Sequence, residues 1–239
     1  MGGSGTRVIV KILRHAGYFM GSNLNESEDA MEFVEFYDRW INRFILRKHA
    51  PLSDEEDHLM AREFDRCIGR HRWAIDSPQM PWGWKEPRSM YLLPFFRVKF
   101  PRIKFIHLIR DARDMAFSRN QNQLRKHGAA VLEKQWALAP QPVQTAALWE
   151  LANLEVAAFG EQMGRDYLRV RYERLCEDPR RTIEEILDFV GAPRTGISAA
   201  AAEVLAPPTI GRWRTAADDQ LAKAIEAAAA KALDKFGYR

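Results

Sequence analysis

Apolar positions three and four residues apart dominate this chain, and only two short runs have the apolar, β-branched character of strands. After a glycine-rich turn, Arg7 to Ala16 has a helical pattern with Val8, Ile12 and Leu13 to one side, stopped by Gly17. Glu28 to Arg47 repeats that spacing through Met31, Val34, Phe36, Trp40, Phe44 and Ile45. Pro51 closes this unit. Ser53 caps a third helix, acidic in its first turn and expected to reach about Gly69. Asp76 to Pro87 carries Pro78, Pro81, Trp82, Gly83 and Trp84 and reads as loop with at most one short strand. Ser89 to about Val98 is helical.

Lys104-Phe105-Ile106-His107-Leu108-Ile109 is the clearest strand. It ends abruptly in Arg110-Asp111-Ala112-Arg113-Asp114, and Met115 to Gln123 follows as helix. From Gln121 to Pro142 the chain is polar and then Ala/Pro-rich without a period, which reads as an insertion or lid on the substrate side. Thr145 to Met163 is a strong helix, with Leu148, Leu151, Leu154 and Val156 among its apolar positions. Asp166 to Arg171 holds the second strand. Asp178-Pro179 opens a helix that Gly191 closes. Pro207-Pro208 breaks the chain, and the Ala-rich tail from about Asp218 to Phe236 is helical. Strands alternating with helices imply an α/β fold, a mainly parallel sheet flanked by helices on both faces.

Composition narrows this picture. At about 150 residues per domain, 239 residues without an internal repeat or linker fit a single domain, 1–239. With 46% hydrophobic and 28% charged residues the chain is neither disordered nor fibrous. It has no apolar run of about 18 residues and no apolar core of a signal peptide near Met1, so a cytoplasmic protein without a membrane span is expected. Cys67 and Cys176 lie far apart, lack metal-ligand spacing and read as reduced thiols. Met1 to Thr6 fits the myristoylation pattern and Asn25-Glu26-Ser27 a glycosylation sequon, but both are short matches without supporting context. The net charge of +4, from 36 Lys and Arg against 32 Asp and Glu, does not call for nucleic acid. It suits a small polyanion if the basic residues converge.

Three places offer such convergence. Gly2-Gly3-Ser4-Gly5-Thr6-Arg7 stands directly before a helix, where tight glycine turns aim successive N–H groups into one concavity and the helix start adds partial positive charge. The same residues also fit a flexible glycine-serine lead-in. Arg110 lies at the carboxyl end of the strand, where open α/β sheets bind ligands, with Ser118 eight residues on. Its fork suits a phosphate, and pairing with Asp111 or Asp114 at the surface is the plainer alternative. Lys85, in Trp84-Lys85-Glu86-Pro87-Arg88, is either a functional cation or one resting on Trp82 or Trp84.

These elements, in this order, resemble sulfotransferases that use 3′-phosphoadenosine 5′-phosphosulfate (PAPS), and the resemblance covers nearly the whole chain. It implies a P-loop-NTPase-like three-layer sandwich. Gly3, Ser4, Gly5, Thr6 and Arg7 resemble the loop for the 5′-phosphosulfate, and Lys85-x-Pro87 resembles the second basic element. Phe100 to Ser118, with Arg110 and Ser118, resembles the segment that binds the 3′-phosphate. Arg171-Tyr172-Glu173-Arg174-Leu175, then Asp178-Pro179 and Phe189-Val190-Gly191, is similar to a stretch near the adenosine. Gly211-Arg212-Trp213-Arg214 is similar to the C-terminal basic element.

The resemblance implies sulfuryl transfer to a hydroxyl or amine of a small-molecule, sugar or lipid acceptor. Adenosine 3′,5′-bisphosphate is the second product, and no metal is required. Lys85, Arg7 and a base carry the chemistry; Glu26 is the choice for the base, with Asp29 and Glu86 behind it. His15 and His107 are set aside, the latter as a satisfied core histidine. Two features depart from the family pattern. Gly3 stands where members carry Lys or Arg, so Arg7 or Lys85 supplies that charge. Members also place an apolar strand directly before the loop, so that strand is missing here or supplied otherwise. Two other readings compete. A nucleotide-binding module without activity shares the loop, and a P-loop small-molecule kinase lacks its Gly-Lys-[Ser/Thr] run here.

Overall fold

The computed structural model describes residues 3–48, 50–204, 207 and 209–239. Met1, Gly2 and Pro208, named above, lie outside the described residues. The elements run α1 (Arg7–His15), α2 (Val34–Leu46), α3 (Asp54–Arg72), α4 (Leu93–Lys99), β1 (Phe105–Ile109), α5 (Ala112–Ala116), α6 (Asn122–Val131) and α7 (Gln141–Gln162). There follow β2 (Tyr167–Arg171), α8 (Tyr172–Glu177), α9 (Pro179–Val190), α10 (Ile197–Ala202), α11 (Trp213–Ala216), α12 (Asp219–Ala228) and α13 (Ala230–Lys235).

The sheet of the described residues is parallel, with β1 against β2 in a register from Phe105↔Tyr167 to Ile109↔Arg171. Side chains alternate across it. Ile106, Leu108, Leu168 and Val170 pack on Ile9, Val10, Ile12 and Leu13 of α1 and on Ile183, Ile186 and Leu187 of α9. Phe105, Ile109 and Tyr167 face the larger core around α7. The result is three layers, helix–sheet–helix, in a mostly helical α/β fold. Helix α7 is apolar nearly all round because it is covered on most sides, by α5, α6, α12 and α13 and by the sheet. Ala146, Ala147, Ala152, Ala157 and Gly160 keep it thin, and the Tyr167 ring lies directly over Gly160.

Several boundaries move from their sequence expectations. The helix expected from Glu28 starts as a 3-10 turn at Met31. Asn25 turns the chain there instead: its Oδ1 accepts from the N–H groups of Ser27 and Asp29 at 2.9 Å each, and Glu28 sits at φ 62°. Met31 is accordingly exposed. The capping box of α3 forms from Ser53 and Glu56, and the helix runs past Gly69 to Arg72, its last turn basic. Pro87–Leu92 is a 3-10 segment leading into α4. The expected helix from Met115 to Gln123 is two helices with a break after Phe117, and the aperiodic stretch from Gln121 contains α6, packed between α2 and α7. The Ala-rich tail breaks at Ala229.

His107 is a core histidine. Asn153 donates through Nδ2 to the Trp149 carbonyl at 2.7 Å, so its Oδ1 faces His107 Nε2 at 2.9 Å as an acceptor. That makes Nε2 the protonated nitrogen and leaves Nδ1 to accept from the Tyr167 hydroxyl at 2.7 Å. Burial holds its pKa down at about 3, only partly opposed by Asn153. In the unfolded chain the same imidazole takes a proton near pH 6.5. As pH falls from 6.5 towards 3, the unfolded state binds a proton that the folded state refuses, at about 1.4 kcal/mol per pH unit. Urea denaturation of His107→Gln should therefore show a stability-against-pH slope shallower than the parent's by about one proton between pH 6 and 4. An unchanged slope would mean that His107 charges in the folded state.

Candidate anion-binding active site

The register of the sheet builds the site. Ile109 and Arg171 are partners, so the residues that follow them, Arg110 and Tyr172, emerge side by side at the carboxyl ends of β1 and β2. The guanidinium of Arg110 lies over the Tyr172 ring, 5.3 Å from its centroid. The glycine loop sits on this pair. Gly3 and Gly5 have φ of +87° and +86°, a conformation that favours glycine. A Cβ on Gly5 would penetrate the Tyr172 ring, and one on Gly3 would meet Ser118 Oγ. Backbone thus approaches as closely as it can to β1, β2 and α5 while Thr6 leads into α1. In the first turn Val8 and Ile9 donate to the carbonyls of Gly5 and Thr6, at 3.1 Å each.

Arg110 is buried and reaches three ways. It donates to the Gly3 carbonyl at 3.5 Å, to the Thr209 carbonyl at 2.5 Å and hydroxyl at 3.0 Å, and to Asp114 at 3.4 Å. The pairing with Asp114 foreseen as a surface alternative exists, but it is buried. Asp114 was missed as an organiser, although its spacing of four from Arg110 was the available signal. It accepts from the N–H groups of Gly211 at 2.8 Å and Trp213 at 3.4 Å, and so docks the 209–213 segment onto α5. Arg212 thereby comes beside Arg110 and donates to the Phe117 carbonyl at 3.3 Å. Burial first, then the Arg110 charge, lowers the Arg212 pKa from its ordinary value. The Nε atoms of Arg110 and Arg212 are both buried and without a partner among the described residues. Two crowded guanidinium groups with unused donors, next to a helix start, make a site whose repulsion an anion relieves.

The remaining candidates gather around the loop 25–29. Lys85 donates to the Ser27 carbonyl at 2.7 Å and to Asp29 Oδ1 at 2.5 Å. Its side chain is 10% exposed, so it is neither a solvated surface charge nor a cation on Trp82 or Trp84. Arg7 donates to the Glu26 carbonyl at 3.2 Å, and Arg14 pairs with Glu28 at 2.9 Å. Of the three carboxylates considered as base, Asp29 is bound by Lys85 and Asn25, and Glu86 by Arg88 at 2.8 Å. Burial raises the Glu86 pKa against the pull of Arg88. The exposed Glu26 carboxylate makes no hydrogen bond or ion pair among the described residues. The residues assigned to donor binding and catalysis thus fall into two groups. Gly3, Ser4, Gly5, Thr6, Arg110, Ser118, Tyr172 and Arg212 surround the glycine loop, and Arg7, Glu26 and Lys85 flank the loop after α1.

The fold is a mostly helical α/β one with a parallel sheet, and the candidate site lies at the carboxyl ends of its strands. The sequence model of the sulfotransferase family matches residues 8–196. The chain belongs to that family. Among solved structures, a sulfotransferase domain from the curacin biosynthetic pathway is similar at a TM-score of 0.50 and 14% identity, over 94% of this chain and 93% of that one. At that identity the likeness bears on fold alone. No curated protein matches the chain in sequence. No helix of the described residues is long and apolar enough to cross a membrane.

The contact of Gly5 with Tyr172 is testable by itself. Gly5→Ala should destabilise by about 1–3 kcal/mol through the positive φ and the clash together. Adding Tyr172→Ala should recover only the steric part. Additive losses in the double variant, measured by urea denaturation, would show that the two residues do not touch.

Proposed function

We propose that the chain transfers a sulfuryl group from PAPS to a hydroxyl or amine of a small-molecule, sugar or lipid acceptor. The observation that carries this reading is the buried Arg110 beside the half-buried Arg212, each with a buried Nε that has no partner among the described residues, placed against a glycine loop at a helix start. Two anion seats that share one wall suit a donor with two separate anionic groups. Arg110, Arg212 and Ser118 are assigned to the 3′-phosphate, and Gly3, Ser4, Gly5, Thr6 and Arg7 to the 5′-phosphosulfate. Tyr172 lies between them on the nucleoside side.

In this reading the donor supplies an activated sulfur–oxygen bond, and the protein supplies position and charge. The acceptor oxygen or nitrogen forms its bond to sulfur as the bond from sulfur to the phosphate oxygen breaks. The acceptor proton passes to the Glu26 carboxylate. Lys85 and Arg7 offset charge on the transferring and departing oxygens. Lys85 stands in for the cation that Gly3 lacks, and Asp29 and the Ser27 carbonyl aim it. A phosphoryl-donor reading gains no support from the loop, where Thr6 and Arg7 replace the Lys-[Ser/Thr] pair.

Adenosine 3′,5′-bisphosphate should raise the melting temperature, and adenosine 5′-monophosphate should do so much less. ATP should be neither bound tightly nor turned over. Arg110→Ala should weaken the bisphosphate by tenfold to more than a hundredfold, from hydrogen bonds of about 1.5–3 kcal/mol to a charged group. Arg110→Lys should restore part of that. Equal shifts with the two nucleotides, or unaltered binding in Arg110→Ala by titration calorimetry, would remove the 3′-phosphate assignment.

Lys85→Ala and Glu26→Gln should separate chemistry from binding, leaving the bisphosphate dissociation constant nearly unchanged. In an acceptor screen read by mass spectrometry, kcat should fall by about 10²–10⁴-fold for the base and about 10²–10³-fold for the lysine. Full activity in Glu26→Gln would transfer the base to Asp29 or Glu86. Full activity in Lys85→Ala would count against the mechanism itself. Bisphosphate binding without turnover of any acceptor would favour the inactive binding module.

A further inference from the structure

The stretch that carries Lys85 is pinned from three sides. Gly83 donates to the Phe19 carbonyl at 2.9 Å, and the Lys85 carbonyl accepts from the Ala30 N–H at 2.9 Å. The Gly83 carbonyl accepts from Nε2 of His71 at 2.9 Å. His71 stands in the last turn of α3 and is fully buried. Its ring is wedged by Phe19, Phe33 and Trp82, and by Gly21, where a Cβ would come within 2.7 Å of Cε1. The other ring nitrogen, Nδ1, faces Oε2 of Glu32 at 3.5 Å. Glu32 follows Asp29 in the segment that aims Lys85. The two nitrogens of one imidazole thus span the gap between the stretch that carries the lysine and the segment that receives it.

A carbonyl only accepts, so Nε2 of His71 carries a proton. In the neutral ring Nδ1 is then a bare lone pair, and it faces a carboxylate oxygen that has only lone pairs to offer. Both atoms are buried, and neither has a hydrogen-bond partner among the described residues. Two buried acceptors face to face repel, and each lacks the donor that its burial demands. A proton between them turns the same contact into an attractive one, and the last turn of a helix favours a cation. The neighbouring charged groups are engaged elsewhere. Arg14 of α1 donates to the Gly21 carbonyl at 3.2 Å and pairs with Glu28, and Arg72 lies over the Trp82 ring. The Cys67 thiol, one turn earlier on α3, is pushed up to about 11, first of all by burial, and stays uncharged.

We propose that His71 is a positioning residue for Lys85, and that a proton taken up between its Nδ1 and Glu32 closes the bridge that holds the lysine on Asp29. Geometry fixes the sign. With the proton in place, Glu32 is drawn to His71, and Asp29 comes with it. Without it, the two acceptors push the 29–32 segment away from the Gly83 stretch, and Lys85 loses its hold on Asp29 and the Ser27 carbonyl. The closed bridge binds a proton that the loosened one does not. It therefore tightens on the acid side of neutrality and loosens as pH rises through the ordinary histidine range, about 6.5. The consequence for catalysis rests on the role given to Lys85 in sulfuryl transfer; the bridge itself does not.

The test compares the full chain with Glu32→Gln and His71→Phe at about pH 6 and about pH 8. A glutamine amide at position 32 donates to a bare Nδ1 or, turned over, accepts from a protonated one, so Glu32→Gln keeps the bridge at both pH values. Two rates are read by mass spectrometry: hydrogen exchange of the Gly83 and Ala30 amides, and acetylation of Lys85 by acetic anhydride. Each is taken as the ratio of parent to Glu32→Gln at the same pH, which cancels the intrinsic pH dependence of the reaction. The ratio should be about one at the lower pH and rise to about tenfold at the higher. His71→Phe, which keeps a ring and loses both nitrogens, should expose Lys85 at both. If that variant does not fold, the Glu32→Gln ratio decides alone. A ratio that does not move with pH, or that rises towards pH 6, overturns the proposal. So does a Lys85 as protected in folded His71→Phe as in the parent. Failure of the parent to bind adenosine 3′,5′-bisphosphate, with the ratio still rising with pH, would sink the donor reading and not the bridge.

Discussion

The parallel register of β1 and β2 is the constraint on which the site depends. With Ile109 opposite Arg171, the two strands deliver Arg110 and Tyr172 to the same place, and the glycine loop is laid across them. A slip of one residue would turn every strand side chain to the other layer. Leu108 and Val170 would leave the α1–α9 core, and His107 would lose Tyr167 and Asn153. Hydrophobic burial on both faces therefore holds the register, and the register holds the proposed anion site. Gly3 and Gly5 are the local expression of that constraint, since their backbone rests where a side chain would not fit.

Electrostatics then divides the site in two. Around Arg110 and Arg212, one carboxylate, Asp114, does the organising: it holds the 209–213 segment by two backbone N–H groups and partly offsets Arg110. Around Lys85, the 25–29 loop is held from three directions, by Arg7, Arg14 and Lys85 itself. The first group is suited to holding charge and the second to aiming it. The first lies at the carboxyl ends of β1 and β2, where the α/β layout leaves room for a ligand.

Most of the helices, both strands and the three layers were legible in the sequence. Their signals are local: period, caps and breakers, as in the Ser53–Glu56 box of α3 or the Asp178-Pro179 start of α9. The same holds for the glycine loop, Arg110 and Ser118, which sit at a strand end or a helix start. Boundaries failed where a side chain competed with the helix. Asn25 captured the amides of Ser27 and Asp29 and delayed the start of α2, and the polar run after Ser118 hid α6 because its buried positions, Gln123 and His127, are polar.

What the sequence determined by itself was therefore the set of elements and the residue types able to bind an anion. Which of those residues meet was decided by tertiary structure. Arg110 and Arg212 lie about a hundred positions apart, and only the docking of the 209–213 segment on Asp114 brings them together. The choice among Glu26, Asp29 and Glu86 was equally nonlocal. Lys85 and Arg88 neutralise two of the three, and the contact between Lys85 and Asp29 exists only once residues 56 positions apart have packed. Periodicity reports what one stretch of chain buries. Burial of this kind is blind to which partner does the covering, and partners are fixed by packing across the whole core.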